Sequence, residues 1–265
     1  MKKFLALFTC LCALSLPALA AEGATTITVF AAASMTESMN QIVELYKKAA
    51  PDVTVVCNFD SSGTLKTQIQ AGAECDIFIS AGQRQMDQLD ITADPAVNTE
   101  KLDFVLPESR FDIVSNQVVL IVPKGKNTKG IDNFADVVTD KVSLAALGNS
   151  DVPVGQYSQE IYTTLGLWDE LNGMSKITFA SNVKEVLVQV AAGAVDCGVV
   201  YGTDAATSDG VEVVAFAPAG SHRPIVYPAA MLRGAQDKAS AFVEFLKGEE
   251  STNVFKSIGF SIPPR

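Results

Sequence analysis

Two segments near the start of the chain place hydroxyl residues directly after runs that are typical of β-strands. Residues 30–37 read FAAASMTE, and residues 59–65 read FDSSGTL. In each segment serine or threonine opens a helical pattern, and the first turn of a helix carries unpaired N–H groups and a partial positive charge. Such turns bind oxyanions without a lysine or an arginine. Ser34 and Glu37 also have the spacing of a capping box, so ordinary N-capping is the competing interpretation of each turn.

A later part of the chain offers hydrogen-bond donors of a similar kind. Val152 and Pro153 precede a helical pattern, so the N–H groups of Val154 and Gly155 are predicted to be unpaired. Tyr201 ends an apolar run, where its hydroxyl faces either a cleft or solvent. Donors in both halves of the chain favour an anion-binding cleft between the halves.

Motifs for catalysis are absent from the sequence. The single histidine, His222, lies in the segment GSHRP without a neighbouring catalytic partner. The sequence contains no P-loop, nucleophile elbow, zinc-protease motif or dinucleotide fingerprint, and no Cys/His spacing predicts a metal site. An exported enzyme with Cys75 or Cys197 as nucleophile is the alternative from a different functional class, but it lacks a histidine partner.

The first 20 residues are predicted to be a secretory signal peptide. Lys2 and Lys3 precede an apolar run from Phe4 to Leu16, and residues 17–20 (PALA) supply a small-residue cleavage site. The mature chain would then be exported to the periplasm. The rest of the sequence has no apolar run of the roughly 20 residues that a membrane-spanning helix needs, so we expect no direct membrane insertion.

The chain is acidic, with 20 Lys and Arg against 30 Asp and Glu and a formal net charge of -10. Loss of the two lysines in the signal peptide would leave 18 against 30, a charge of -12. Nucleic acids and anionic membranes are therefore excluded as partners, because they bind clustered positive charge. A bound anion must be held by local dipoles, and we expect a monomer.

Three of the five cysteines, Cys57, Cys75 and Cys197, remain after removal of the signal peptide. An odd number cannot pair completely within one chain. Cys57 and Cys197 lie in apolar patterns and are predicted to pack in the core. A Cys57–Cys75 disulfide remains open, because exported proteins form disulfides.

Short β-branched runs alternate with helical patterns, which predicts an α/β fold. The predicted strands are residues 26–30, 53–59, 76–80, 117–123, 142–145, 197–201, 211–216 and 225–232, and the predicted helices follow Ser34 and cover residues 62–71, 155–165, 182–192, 235–247 and 251–258. The pattern is weak between Ile91 and Arg110. Parallel strands with right-handed crossovers would bring the loops after the first two strands side by side. We expect two lobes, residues 21–114 plus 219–265 and residues 115–218, with a ligand cleft between them.

Six segments in order along the chain resemble the periplasmic molybdate-binding protein family of ATP-binding-cassette importers. They are residues 29–34 (VFAAAS), 61–65 (SSGTL), 76–81 (DIFISA), 152–157 (VPVGQY), 182–184 (NVK) and 200–205 (VYGTDA). The resemblance implies a type II periplasmic binding protein fold, in which each lobe is a mainly parallel sheet flanked by helices. It also implies a protein that captures molybdate or tungstate and delivers it to a membrane permease, without enzymatic activity and without a cofactor.

The same resemblance assigns the oxyanion ligands residue by residue. They are the hydroxyls of Ser34, Ser62 and Tyr201 and the main-chain N–H groups of Val154 and Val183, with Ser61 as a secondary candidate. The metal would be held through its oxygens, without direct side-chain ligands. Asp60 departs from the family pattern, because a carboxylate beside the serine turn would repel a dianion. We expect it to point away or to cap the helix.

A cavity that contains only donors suits a fully deprotonated tetrahedral dianion. Phosphate near neutral pH carries a proton that needs an acceptor, so such a cavity rejects it. Sulfate differs from molybdate only in size, and sequence does not separate molybdate from tungstate. A receptor for sulfate, phosphate or an organic carboxylate is therefore the alternative on the same fold.

Overall fold

The computed structural model describes residues 25–235 and 237–264, without the side chain of Lys238. The strands of this part are β1 (Thr25–Ala32), β2 (Val53–Asp60), β3 (Ile77–Ile79), β4 (Phe111–Ser115), β5 (Val118–Pro123), β6 (Ala145–Gly148), β7 (Ile177–Ala180), β8 (Cys197–Tyr201), β9 (Val211–Phe216) and β10 (Val226–Met231). The helices are α1 (Thr36–Ala49), α2 (Ser62–Gln70), α3 (Gln83–Asp87), α4 (Pro153–Thr164), α5 (Trp168–Gly173), α6 (Val183–Ala191), α7 (Gly202–Ala206), α8 (Asp237–Lys247) and α9 (Glu249–Ile258). The signal peptide predicted for residues 1–20 lies outside the described residues.

The strands form two five-stranded sheets, in the orders β2-β1-β3-β10-β4 and β7-β6-β8-β5-β9. In the first sheet β10 runs antiparallel to β3 and β4, and in the second sheet β5 runs antiparallel to β8 and β9. The other four strands of each sheet share one direction, so the expected mainly parallel sheets are confirmed. We call the first sheet with α1–α3, α8 and α9 the first lobe, and the second sheet with α4–α7 the second lobe.

The parallel pairing of β1 with β2 places the two serine turns next to each other. The register pairs Ala32 with Asp60, the last residues of the two strands. The segments after β1 and β2 therefore leave the sheet at the same edge and at the same level. A 3-10 turn over Ala33–Met35 follows β1, and α2 begins at Ser62 after β2.

The second lobe is built in the same way. β6 pairs in parallel with β7 and β8, and Gly148 and Ala180 end their strands side by side. The helices α4 and α6 begin a few residues beyond these strand ends, at Pro153 and Val183. Two helix N-termini and the end of β8 thus meet at one edge of the second sheet.

The chain passes between the lobes twice, from β4 to β5 and from β9 to β10. Both strands that enter a lobe by these connections, β5 and β10, are the antiparallel strands of their sheets. The predicted lobe boundaries, residues 21–114 plus 219–265 and residues 115–218, fall beside these connections and remain a prediction. No helix within residues 25–235 and 237–264 is long and apolar enough to cross a membrane.

The disulfide left open by the sequence does not fit this topology. Cys57 lies in β2 and is paired with Val29 of β1, whereas Cys75 lies two residues before β3, on the other side of β1. Two strand spacings separate their Cα atoms by roughly 9 Å or more, and a disulfide needs less than about 7 Å. Cys57, Cys75 and Cys197 are all free thiols. Cys197 is fully buried as predicted, whereas Cys57 is only half-buried.

Candidate functional site

The six predicted site residues line one small cavity between the lobes. They are Ser34, Ser61, Ser62, Val154, Val183 and Tyr201, and none is more than 4% exposed. Ala32, Ala33, Ala81, Val152 and Pro153 complete the lining. The cavity therefore combines segments that lie far apart in the sequence, and no carboxylate is among the residues that line it.

Ser34 does not act as a helix cap. Its Oγ lies 2.9 Å from the hydroxyl oxygen of Tyr227, and neither the 3-10 turn nor α1 has a side-chain cap. The capping box predicted for Ser34 and Glu37 is therefore wrong. Glu37 instead pairs with Lys184 of the second lobe, and the hydroxyl of Ser34 remains at the cavity wall.

The adjacent serines of α2 have different partners. The Oγ of Ser62 accepts a hydrogen bond from the N–H of Ala81 at 2.9 Å, which leaves the hydroxyl proton of Ser62 free to be donated. Ser61 is the N-cap of α2 and accepts from the N–H of Thr64 at 3.2 Å. Its Oγ also bonds to the Thr64 hydroxyl at 2.9 Å. The hydroxyl of Ser62 can thus donate to a ligand, whereas the hydroxyl of Ser61 is already hydrogen-bonded to Thr64.

Asp60 is not among the residues that line the cavity. Its Oδ1 accepts from the N–H of Ser61 at 2.7 Å and from Nδ2 of Asn182 at 3.4 Å. Of the two expected arrangements, the structure has the first: Asp60 lies away from the cavity wall, and Ser61 is the residue that caps α2. Two hydrogen-bond donors therefore stabilise its carboxylate, and one of them lies on the second lobe.

The second lobe presents main-chain N–H groups at two helix N-termini. The first turn of α4 has no side-chain cap, and Pro153 at its start has no N–H, so Val154 carries an uncapped donor. In α6 the side chain of Asn182 accepts from the N–H of Glu185 at 3.1 Å, which leaves the N–H of Val183 without an intrahelical partner. Both groups belong to residues of the cavity wall and carry the positive end of a helix dipole.

Tyr201 carries an unpaired buried hydroxyl. The residue is 1% exposed, and within the described part of the chain its hydroxyl has no hydrogen-bond partner. Burial raises the pKa of this hydroxyl well above its ordinary value, so the group stays protonated. An unpaired buried hydroxyl costs about 1–3 kcal/mol. The cavity therefore contains a donor that lacks an acceptor, which an oxyanion would supply.

Lys184 connects the two lobes beside the cavity. Its Nζ lies 2.8 Å from Oε1 of Glu37 in the first lobe and 3.0 Å from Oδ1 of Asp204 in the second. Asp204 is fully buried, and burial raises the pKa of its carboxyl to about 6 although the nearby ammonium of Lys184 lowers it. The sequence placed Lys184 within a family segment but gave no sign of this role, because its first-lobe partner lies 147 residues away.

The lobes touch closely around the cavity. A Cβ atom at Gly63 of α2 would overlap the carbonyl oxygen of Asp151 in the second lobe, so only glycine fits at this approach. A Cβ atom at Gly82 would lie 3.6 Å from Pro153. With the Asp60–Asn182 hydrogen bond and the Lys184–Glu37 ion pair, these contacts define a closed arrangement of the lobes.

The family model for bacterial extracellular solute-binding proteins matches residues 27–261 of this chain. The chain belongs to that family. It is also 39% identical over 252 residues to the molybdate-binding protein ModA of Escherichia coli K12, with 92% of this chain and 91% of the relative covered. A second ModA, from Haemophilus influenzae, is 35% identical, with 89% of each chain covered. These relatives are named as binding proteins and not as enzymes.

A solved structure agrees with this placement. The periplasmic molybdate-binding protein of Azotobacter vinelandii superposes with a TM-score of 0.76 at 27% identity, covering 90% of this chain and 100% of that one. The expected resemblance to periplasmic molybdate-binding proteins and the expected two-lobed α/β fold are therefore confirmed. The roles of the individual cavity residues remain predictions.

Proposed function

We propose that the protein captures molybdate or tungstate in the cavity between its lobes and delivers it to the permease of an ATP-binding-cassette importer. The observation that carries the proposal is the convergence of donors from both lobes on one cavity, including the unpaired hydroxyl of Tyr201. The names of the relatives support molybdate as a transported ligand and not as a cofactor. Ser34, Ser62, Val154, Val183 and Tyr201 are the proposed donors, with Ser61 supporting the turn.

The proposed ligand fits the chemistry of the donors. A hydrogen bond to a charged oxygen contributes about 1.5–3 kcal/mol. Five such bonds can offset the dehydration of a dianion and still leave micromolar or tighter binding, which corresponds to about -8 kcal/mol. Because the donors are hydroxyls and helix N-termini, they bind the anion despite the net charge of -10.

Phosphate is expected to bind weakly. It carries a proton near neutral pH and needs an acceptor, but Asp60 and Asp204 are not among the residues of the cavity wall. Rejection of a protonated ligand follows, because a donor that faces another donor leaves both unpaired. Sulfate presents the same charge as molybdate and would be distinguished only by its size.

The proposed transport role follows from the two-lobed arrangement. Because each lobe contributes donors, the anion binds the closed form more tightly and shifts the equilibrium toward it. A permease can then recognise the loaded protein by its shape. An exported, monomeric receptor without enzymatic activity fits this role. Burial raises the pKa of the Cys75 and Cys197 thiols to about 12, which disfavours the alternative of a cysteine nucleophile.

Isothermal titration calorimetry with molybdate, tungstate, sulfate and phosphate tests the proposal. We expect strong binding of molybdate and tungstate and no measurable binding of phosphate. Absence of molybdate binding would overturn the proposal, and tight binding of sulfate, phosphate or a carboxylate in its place would favour the alternative receptor on the same fold.

Substitution of the serines tests the location of the site. Ser34→Ala and Ser62→Ala are each expected to weaken molybdate binding about tenfold or more, because each removes a hydrogen bond to a charged oxygen. Ser38→Ala is the matched control, since Ser38 is a buried serine of α1 whose hydroxyl donates to the carbonyl of Met35 outside the cavity. Unchanged affinity in both site variants would show that the anion binds elsewhere.

A further inference from the structure

A chain of hydrogen bonds links Ser34 to the second lobe through two residues that do not line the cavity. The Oγ of Ser34 lies 2.9 Å from the hydroxyl of Tyr227 in β10, and Nδ2 of Asn116 lies 3.3 Å from the same hydroxyl. Asn116 stands in the connection between β4 and β5, and its Nδ2 also donates to Oγ1 of Thr203 in α7 at 2.8 Å. The chain therefore runs from the cavity through the interlobe connection to the second lobe.

The direction of these hydrogen bonds is fixed at Asn116. Its Oδ1 accepts from the N–H of Gln117 at 2.9 Å, so its amide nitrogen must face Tyr227 and Thr203. An amide nitrogen only donates, and the Tyr227 oxygen therefore accepts from it. Tyr227 is fully buried, and its remaining proton has Ser34 as its partner. Ser34 accepts from Tyr227, and the proton of Ser34 is directed toward another acceptor.

We propose that Tyr227, oriented by Asn116, is a positioning residue that makes Ser34 an obligatory donor and thereby excludes protonated oxyanions from the cavity. This inference rests on the proposed function, because it assigns the free proton of Ser34 to a bound oxyanion. Ser62 is oriented in an equivalent way, by the N–H of Ala81. In the first lobe, a main-chain donor orients one serine, and a side-chain relay orients the other.

The relay explains how a hydroxyl can discriminate between anions. A serine hydroxyl can donate or accept, so an unrestrained serine would accept the proton of hydrogen phosphate. A serine that already accepts from Tyr227 has its proton left for the ligand. Discrimination then depends on a residue that does not touch the anion, and its removal should change selectivity and not only affinity.

Tyr227→Phe tests the inference in the full chain. We expect molybdate affinity to fall about tenfold. The ratio of molybdate affinity to phosphate affinity should fall by a larger factor, because Ser34 becomes free to accept the proton of phosphate. Ser34→Ala is the matched control: it should lower molybdate affinity without creating phosphate binding. In the Ser34→Ala background, Tyr227→Phe should have no further effect on the ratio, which a double-mutant cycle measures.

Asn116→Asp provides a second variant of nearly the same shape. A carboxylate only accepts, so Tyr227 would donate to it and accept from Ser34, which turns the Ser34 proton away from the cavity. The molybdate-to-phosphate ratio should again fall about tenfold or more. If both variants fold and keep the parent ratio, the inference is overturned while the proposed function stands. If the parent itself does not bind molybdate, both are overturned.

Discussion

The two lobes differ in how completely their polar groups at the cavity are satisfied. In the first lobe, the hydroxyls of Ser34, Ser61 and Ser62 all have hydrogen-bond partners within the protein. In the second lobe, the hydroxyl of Tyr201 has none among the described residues, and the N–H groups of Val154 and Val183 lie at helix starts. The serine hydroxyls of the first lobe are therefore held by the protein while Ser34 and Ser62 keep a proton for a ligand, whereas the Tyr201 hydroxyl of the second lobe has no partner among the described residues.

The difference extends to charge, because the second lobe buries Asp204 completely. Its pKa is raised from 3.8 to about 6 by burial. The contribution of this group to stability is therefore fully present below about pH 3.8 and is lost as the pH rises through about 6. The difference between the two pKa values corresponds to about 3 kcal/mol.

We expect Asp204→Asn to remove this pH dependence. Between about pH 7 and about pH 4, the unfolding free energy of the parent should gain up to about 3 kcal/mol relative to the variant. Chemical denaturation across this range measures the difference. Asp90, Asp136 and Asp196, whose pKa values are lowered, make the unfolding free energy change with pH in the opposite direction. Their contributions are the same in both proteins and cancel when parent and variant are compared. If the unfolding free energies of parent and variant change with pH in parallel, the ionised form of Asp204 is not destabilised in the folded protein.

Val183→Pro tests a main-chain donor, which ordinary side-chain substitutions leave in place. Val183 is the first residue of α6, where proline is tolerated, and Asn182 before it is extended, as a residue preceding proline prefers. Loss of the N–H should weaken molybdate binding about 10–100-fold. Val183→Ala keeps the N–H and should change affinity much less. Equal effects of the two substitutions in calorimetry would assign the loss to packing and not to the donor.

Tyr201→Phe should separate affinity from stability. Removal of the hydroxyl is expected to weaken molybdate binding about tenfold, because a hydrogen bond to a charged oxygen is lost. The unfolding free energy of the ligand-free protein should not fall, since the hydroxyl has no partner to lose among the described residues. Thermal unfolding and calorimetry on the same preparation test both statements. A variant that binds normally but unfolds more easily would contradict the unpaired state of this hydroxyl.

The donors of the cavity could be predicted because local sequence rules fix them. Parallel pairing of β1 with β2 makes the turns at Ser34 and Ser62 neighbours, and a proline at the start of α4 identifies the N–H of Val154. The family resemblance added Val183, and it placed in the cleft the Tyr201 hydroxyl, which the residues alone had left open between cleft and solvent. Each of these residues ends or follows a strand or lies in the first turn of a helix, and the position of such residues is encoded within a few neighbours.

The groups that orient those donors could not be predicted in the same way. Tyr227 lies in an apolar strand pattern, and its partner Ser34 is 193 residues away. A similar long-range contact explains why β6, which was predicted at residues 142–145, is found at Ala145–Gly148. The N–H groups of Ser143 and Leu144 bond to the carboxylate of Asp196 and not to a neighbouring strand.

Short elements with half-buried or mixed patterns were also missed. The sequence predicted neither β4 (Phe111–Ser115) nor β7 (Ile177–Ala180), and it predicted neither α3 (Gln83–Asp87) nor α5 (Trp168–Gly173). The two strands lie at sheet edges, and their exposed faces break the apolar runs by which a buried strand is identified. The two helices have five and six residues, too few for a helical period to be evident.

The ion pair between Lys184 and Glu37 tests whether the lobes are joined mainly by the ligand. Glu37→Gln removes the cross-lobe charge but leaves Lys184 beside Asp204. Because the Lys184 and Glu37 side chains are 24% and 36% exposed, the pair should contribute about 0.2–1 kcal/mol, and molybdate affinity should fall about two- to fivefold. Glu44→Gln, at another acidic position of α1, is the charge-matched control. An affinity loss above about tenfold in Glu37→Gln would mean that this side-chain contact, rather than the oxyanion, supplies most of the energy that closes the lobes.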